Sequence, residues 1–373
     1  MKQLLLLGGG HAHVHVLAAL ATQPIKGWQV QLVTPYRRQI YSGMLPGWVA
    51  GHYHLQECAI DLESQASRAG VKLVPTAGVG LDADGQTLSC ANGARLRFDR
   101  LSIDTGPVSS LAGLAGGREH ALPIRPIEGF VAAWPGLVDR ILGQCSRFDL
   151  VVVGAGAAGV ELAFALQQRA CRDGWSHLRV SLLGSDALPL DGLPIAARRR
   201  ALALLRQRGI RWLGDSRATQ VAPDHVRLES GISLPADATL LVTGAAAPDW
   251  PGLSGLSTDA RGFIRVGPSL QSLSHPAICV AGDIAAYASE RPKSGVYAVR
   301  AGPVLAGNLR ALCEGRPTKD WTPQRRALYL ISTGNRSAIA SWGAYAVGGA
   351  WVWRWKDRID RRFMRRFSAK DEP

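Results

Sequence analysis

An α/β fold of two Rossmann-like dinucleotide-binding units, with a small C-terminal extension ending in an amphipathic helix, is what this 373-residue sequence predicts. Three observations predict it. Two glycine-rich loops, Gly8-Gly9-Gly10 and Gly154-Ala155-Gly156-Ala157-Ala158-Gly159, each follow an apolar run, Leu4 to Leu7 and Leu150 to Val153. Each precedes a stretch rich in Ala, Leu and Val with helical character. Two later strands, ending Ile103-Asp104-Thr105-Gly106 and Leu241-Val242-Thr243-Gly244, both close on Thr-Gly. Two such units suit a protein that holds two dinucleotides face to face, the arrangement that passes hydride from a nicotinamide to a flavin.

The first unit reads as a strand over Leu4 to Leu7, a helix over His11 to Ala21 and a strand over Val30 to Val33. Gly8 and Gly10 leave the backbone bare for a diphosphate, and the N–H groups of the helix start receive its charge. The third glycine position holds His13, so the helix cannot lie as tightly on the strand. His11, His13 and His15 alternate like a metal tract, but only His11 and His15 share a helical face. His11 is expected near the diphosphate, His13 in packing, and no metal is expected. The second strand ends at Thr34 where a ribose-binding Asp or Glu is usual. Ribose contact is then left to Thr34, the backbone or a neighbouring side chain, with Arg38 a candidate.

The second unit begins near Phe148. Gly154 permits the turn, Gly156 the approach of a diphosphate and Gly159 close packing of the helix, expected over Val160 to Gln168. Its second strand, Leu178 to Leu183, ends at Gly184-Ser185 and offers no carboxylate to repel a 2′-phosphate, so NADH and NADPH are both admitted. An arginine from Arg198 to Arg200 could reach such a phosphate, or the run could be a solvated helix face. The strand at Ala277 to Ala281 then delivers Gly282-Asp283. A carboxylate there can accept hydrogen bonds from a flavin's ribityl chain. The next helix, Gly295 to Leu312, would aim its N-terminus, at Gly295 and Val296, toward the flavin's pyrimidine edge and stabilise negative charge at N1.

At the tail, Trp351, Trp355, Ile359, Phe363 and Phe367 recur every four residues among arginines. Residues 350–367 therefore suit either an interfacial helix on anionic lipid or a terminal helix docked on its own body or a second subunit. The expected divisions are residues 1–108 with 248–318 for FAD, 109–247 for NAD(P)H and 319–373 for the C-terminal segment.

Composition is that of a well-packed protein, 47% hydrophobic and 19% charged. The net charge of +14 is concentrated in Arg198 to Arg211 and Arg354 to Arg366. Neither stretch forms a nucleic-acid module, so cofactor phosphates and an anionic membrane surface are the simpler partners. Six cysteines lie far apart without CxxC spacing, against zinc and against a local redox-active disulfide. They read as reduced thiols in a cytoplasmic protein, possible as a peripheral one, and leave flavin electrons to a diffusible or docked acceptor. Leu4 to Leu7 is too short for a signal peptide, and Ser337 to Trp353 makes a poor membrane span.

With these landmarks in order, the chain resembles the two-dinucleotide-binding-domain flavoproteins of the pyridine nucleotide-disulfide oxidoreductase superfamily. Lacking redox cysteines, it is similar to the type II NADH dehydrogenase and sulfide:quinone oxidoreductase side of that group. More narrowly, Gly8 to Val16, Tyr41-Ser42-Gly43-Met44-Leu45-Pro46-Gly47 and Gly295 to Pro303 resemble the branch found fused ahead of selenide water dikinase. The chain is then a free-standing version or a trimmed one.

The resemblance implies FAD on Gly8, Gly10, Thr105, Gly106 and Asp283, with Gly282 beside it. It implies NAD(P)H on Gly154, Gly156, Gly159 and Glu161, with Gly244 at the matching strand end. Glu161 falls where type II NADH dehydrogenases carry a glutamate close to the nicotinamide; an ordinary surface salt bridge is the alternative. The quinone-side pattern AQxAxQxG of those enzymes appears as Gly295-Val296-Tyr297-Ala298-Val299-Arg300-Ala301-Gly302, with neither glutamine kept. Tyr297 and Arg300 of this segment join Glu161 as candidate catalytic residues. Sulfide chemistry is disfavoured, because Cys279 lies inside an apolar strand where an inert thiol is the default.

The expected function is an FAD-dependent NAD(P)H dehydrogenase with a quinone-like acceptor. One rival is a selenium-linked flavin oxidoreductase partnered with selenide water dikinase. Another is a non-catalytic docking module, and a homodimer is compatible with each.

Overall fold

The structure, a computed structural model, describes residues 1–324 and 326–368. Its first sheet runs in the order Ile278–Val280, Arg100–Ile103, Lys2–Leu7, Trp28–Val33, Lys72–Val74, all parallel. Leu4, Leu5 and Leu6 of the central strand are fully buried, as a parallel strand covered on both faces must be. The helices His11–Thr22 and Gly295–Cys313 pack on one face. The antiparallel strands Gly78–Asp82, Thr87–Cys90 and Arg95–Arg97 supply Leu81 and Leu88 to the core on the other.

The second sheet repeats this plan in the order Leu122–Pro123, Ala238–Leu241, Phe148–Val153, Leu178–Leu183, Arg211–Leu213. Its first crossover helix, Ala157–Asp173, starts three residues earlier and ends five later than the spacing of apolar residues predicts. The extension follows the chemistry of its ends, since Gly156 opens the helix and Gly174, at φ +74°, closes it. Between the two sheets the chain crosses twice, at Val108–Ser109 and Ala245–Ala246, and these crossings pair antiparallel.

Past the helix Gly295–Cys313, three antiparallel strands, Tyr329–Ser332, Ala338–Trp342 and Tyr345–Gly349, lead into the terminal helix Ala350–Arg365. Of the apolar stripe predicted there, Phe363 and Phe367 are buried against the body, whereas Trp351, Trp355 and Ile359 are exposed. The reason is geometric. A helix turns about 100° per residue, so a repeat of four drifts about 40° per step, and five such positions wind from one face to another. Docking on the body and an exposed aromatic face thus coexist in one helix. Part of the segment assigned to 319–373, at 325 and 369–373, lies outside the described residues.

Candidate functional site

Both glycine loops lie where a parallel strand hands over to a helix N-terminus. At the first, Gly8 adopts φ +95°, and a Cβ there would collide with the Asp104 carbonyl. His13 fills the third glycine position as a spacer. A carbonyl can only accept, so its Nδ1–H donates to Gly8 O at 2.6 Å, and Nε2 accepts from Ser102 Oγ at 2.8 Å. This pattern needs a neutral ring, and burial lowers the His13 pKa to about 4.

His11 opens the helix with its backbone, but its ring turns to Tyr41 and Phe363, at centroid distances of 5.5 and 6.1 Å. His15 meets Phe367 at 4.9 Å. Among the described residues the Nε2 atoms of His11 and His15 are buried without hydrogen-bond partners, and burial pushes both rings down to about 4.

Asp104, which sequence reasoning passed over, ends the strand beneath this loop. It is 3% exposed, and its Oδ2 accepts from the backbone N–H of Ala12 at 2.8 Å and of His13 at 3.0 Å. Its carboxyl lies against the bare faces of both Gly10 and Gly282, where any Cβ would strike it. Burial pushes the carboxyl up to about 7, opposed by those two N–H bonds.

Gly282, at φ +74°, leads into Asp283, whose carboxyl is raised to about 6 by burial, against the pull of the Arg125 and Lys293 charges. Lys293 donates to Ala285 O at 2.7 Å and stands 3.8 Å over the Phe263 ring. Arg125 Nη1 donates to Thr243 O at 3.5 Å at the second sheet's strand end, and its charge acts on Asp283 beyond the first sheet's. Neither cation was singled out from sequence, because proximity to Asp283 arises only in three dimensions.

The other first-unit candidates gather around this cleft to differing degrees. Gly295 faces Ser42, whose Oγ would lie 3.3 Å from a Cβ at that glycine, bringing the helix start against the 41–47 loop. Val296 follows it on the first turn, Tyr297 is buried and Arg300 is exposed. Thr34 is buried beside Gly9 and accepts from Tyr36 N–H at 3.4 Å. Arg38 pairs with Glu128 at 3.3 Å instead of standing free. Thr105 is exposed, and Gly106 has open space around it, as does Gly244 at the matching end of the second sheet.

At the second loop, Gly154 adopts φ +112° and Gly159 touches the Gly154 carbonyl so closely that no Cβ fits. Among the described residues nothing lies within 4 Å of the Cβ position of Gly156. The first-turn N–H groups of Ala157–Asp173 have no side-chain cap from Gly156 and face this opening.

Glu161, one turn on, accepts from Ser332 N–H at 2.8 Å. Desolvation pushes its carboxyl up to about 7, with the Lys356 charge opposing. Lys356 Nζ donates to Asp360 at 2.6 Å and to Gly43 O at 2.5 Å, and Tyr41 Oη donates to Asp360 at 3.2 Å. A line of polar groups thus joins the second-loop helix, the terminal helix and the 41–47 loop. Lys356 and Asp360 read in sequence as part of a charged rim; their spacing of four was the only sign of a pair.

On the arginine run, Arg198 lies 3.9 Å from Asp186 and from Asp191, near the Gly184-Ser185 turn, and Arg200 donates to Gly348 O at 3.5 Å. Among the described residues no three His, Cys, Asp or Glu side chains gather in a way that could hold a metal ion. Cys279 is fully buried, and its thiol is pushed up to about 12.

These groups fit two dinucleotides. The first loop offers a glycine backbone at Gly8 and Gly10, a buried Asp283 for a polyol and the start of a long helix at Gly295, as a flavin nucleotide needs. The second offers an open Gly156 and uncapped helix N–H groups, as NAD(P)H needs.

Comparison with known proteins bears on the same reading. The sequence profile of the family described as pyridine nucleotide-disulphide oxidoreductase matches residues 2–302. An NADH dehydrogenase-like protein of Mycobacterium tuberculosis is 28% identical over 239 residues, a match covering 62% of this chain and 60% of that protein. Demethylphylloquinone reductase of Synechocystis is 24% identical over 330 residues, covering 84% of this chain and 80% of the relative. The fold is similar to that of NDH2 from Plasmodium falciparum in complex with NADH, with a TM-score of 0.82 at 12% identity, covering 98% of this chain and 97% of that one.

Proposed function

The chain belongs to the pyridine nucleotide-disulphide oxidoreductase family, and from that premise we propose that it is an FAD-dependent NAD(P)H dehydrogenase passing electrons to a quinone-like acceptor. The observation that carries this is the pair of glycine loops, each at the carboxyl end of a parallel sheet, with Arg125 bonded to the Thr243 carbonyl while its charge acts on Asp283. Bound FAD supplies the two-electron chemistry; the chain's part is to hold, orient and stabilise.

Gly8, Gly10, Thr34, Arg38, Thr105 and Gly106 would receive the nucleotide half of FAD, with His11 at the helix start. Gly282 and Asp283 would take the ribityl chain, and Gly295 and Val296 would present a helix N-terminus to N1. Gly154, Gly156, Gly159 and Gly244 would hold NAD(P)H. Glu161, raised to about 7, can hold or release a proton near neutral pH beside that loop. Tyr297 and Arg300 follow on the flavin-side helix, where an acceptor would approach.

The first test is optical. Purified protein supplied with FAD should carry flavin absorbance that NADH or NADPH bleaches without oxygen, and colourless protein that takes up no FAD would favour the docking-module reading instead. A quinone as acceptor is supported by the demethylphylloquinone reductase relative, and an anaerobic acceptor screen decides it.

Access to a lipid-soluble acceptor would come through the exposed face of the terminal helix. There Trp351, Trp355 and Ile359 stand with Arg354, Arg358 and Arg362, while Trp342 and Tyr345 are exposed on the hairpin before it. Among the described residues no helix is long and apolar enough to cross a membrane. Co-sedimentation with anionic vesicles, weakened in Trp355→Ser, tests the contact.

A second reading has one observation in its favour. The three segments that resemble the selenide water dikinase fusion branch converge in space, with His11 on Tyr41, His15 against Gly302 and Ser42 against Gly295. A selenium-linked reductase would show NAD(P)H oxidation driven by a diselenide and not by quinones.

A further inference from the structure

The strand end that meets the first loop is Asp104, and the strand end that meets the second is Val242. Their equivalence is structural: a Cβ on Gly8 would strike Asp104 O just as one on Gly154 would strike Val242 O. At the second loop the face of Gly156 is open. At the first, the Asp104 carboxyl fills the matching space against Gly10, and its Oδ2 holds two N–H groups of the helix start. A dinucleotide's diphosphate seated on Gly10 must therefore lie against this carboxyl, with no cation of the loop between them. Two anions in contact in a dry site repel strongly.

We propose that Asp104 is a diphosphate-binding residue that works as a neutral acid: its Oδ2 keeps the helix N–H groups, and its Oδ1 carries a proton donated to a phosphate oxygen of FAD. This rests on the reading that FAD occupies the first loop. Oδ1 is the atom available, because among the described residues Oδ2 takes both hydrogen bonds and Oδ1 accepts none. It lies against Gly282, whose missing Cβ leaves room there.

Burial favours the neutral form, against the two N–H bonds that Oδ2 accepts. The titratable groups facing Asp104 are His13 on the loop helix, held neutral, and Asp283 and Tyr287 after the neighbouring strand, both of which feel its charge. The cations Arg125 and Lys293 act on Asp283. The balance of burial against the two N–H bonds leaves Asp104 raised to about 7.

The sign follows from linkage. The binding form is the protonated one, so FAD affinity is full below about pH 7 and falls as pH rises above it, approaching about tenfold per pH unit. The test is FAD affinity of the apoprotein between pH 6 and 9, read by quenching of flavin fluorescence. Wild type should weaken about tenfold per unit above neutral pH, whereas Asp104→Asn, which keeps a donor and cannot ionise, should be nearly flat. Parallel profiles for the two proteins would overturn the assignment, since Lys293 or Asp283 would then set the slope.

A measurement on wild type alone guards against a variant that fails to fold. Calorimetry at pH 8 in buffers of different ionisation enthalpy should show close to one proton taken up per FAD bound, and no uptake would overturn the proposal. No FAD binding at any pH would instead overturn the functional reading beneath it.

Discussion

At the first glycine loop a carboxyl group lies on Gly10 and the His13 imidazole is bonded to the Gly8 carbonyl, whereas at the second the face of Gly156 is open and Gly159 sits directly on the Gly154 carbonyl. The two loops share a backbone plan, with Gly8 and Gly154 both at positive φ beside a strand-end carbonyl. What differs is which side chains occupy the space around it. The second loop uses glycine at all three positions and relies on backbone contact. The first has His13 at the third glycine position and Asp104 at the strand end in place of an apolar residue, and these side chains add hydrogen bonds to the loop and its helix. Such a turn can therefore be built from backbone contact or from a polar network, and the network places titratable groups at the turn itself.

Substitutions can break or sharpen this comparison. The largest effect is expected at Gly159, because the methyl of Gly159→Ala would drive into the Gly154 carbonyl and force the helix off the strand. A loss of about 3 kcal/mol should appear as a lowered urea midpoint. An unchanged midpoint would mean that this helix does not depend on contact.

Next comes His13→Gly, which makes the first loop's lettering match the second. Loss of partners for Gly8 O and Ser102 Oγ, with the void left behind, should cost about 2 kcal/mol. A neutral or stabilising result would show that the imidazole is a tolerated substitute and not the spacer the geometry describes.

The smallest stability effect belongs to Gly156→Ala, where φ −68° and ψ −175° suit any residue and no atom is near. Stability should stay within about 0.5 kcal/mol, while NAD(P)H affinity, read by titration, drops by about tenfold, or about 1.4 kcal/mol. Tight binding by this variant would place the diphosphate elsewhere.

Much of the architecture was legible because it rests on local patterns. Apolar runs before Gly8 and Gly154, Thr-Gly after two later strands and Gly-Asp after a third are short-range features, and each lies at a strand end in the structure. The site was legible in part. His13 was read correctly as a packing residue from one missing glycine, but the Asp104 contact was not read, although Asp-Thr-Gly against Val-Thr-Gly held the clue. The tail stripe misled through its own regularity: spacing by four looks like one face and is a slow spiral, so its two ends meet different surroundings.

Sequence alone determined the strands and helices that flank the two glycine loops and the strands that end in Thr-Gly and Gly-Asp, because these follow from propensity, glycine geometry and spacing within a few residues. Tertiary structure alone decided which charges meet. Asp104 with the first helix, Arg125 near Asp283, and Lys356 near Glu161 are separated by long stretches of chain. Their protonation depends on burial and on neighbours that folding brings together, and no local pattern encodes either one.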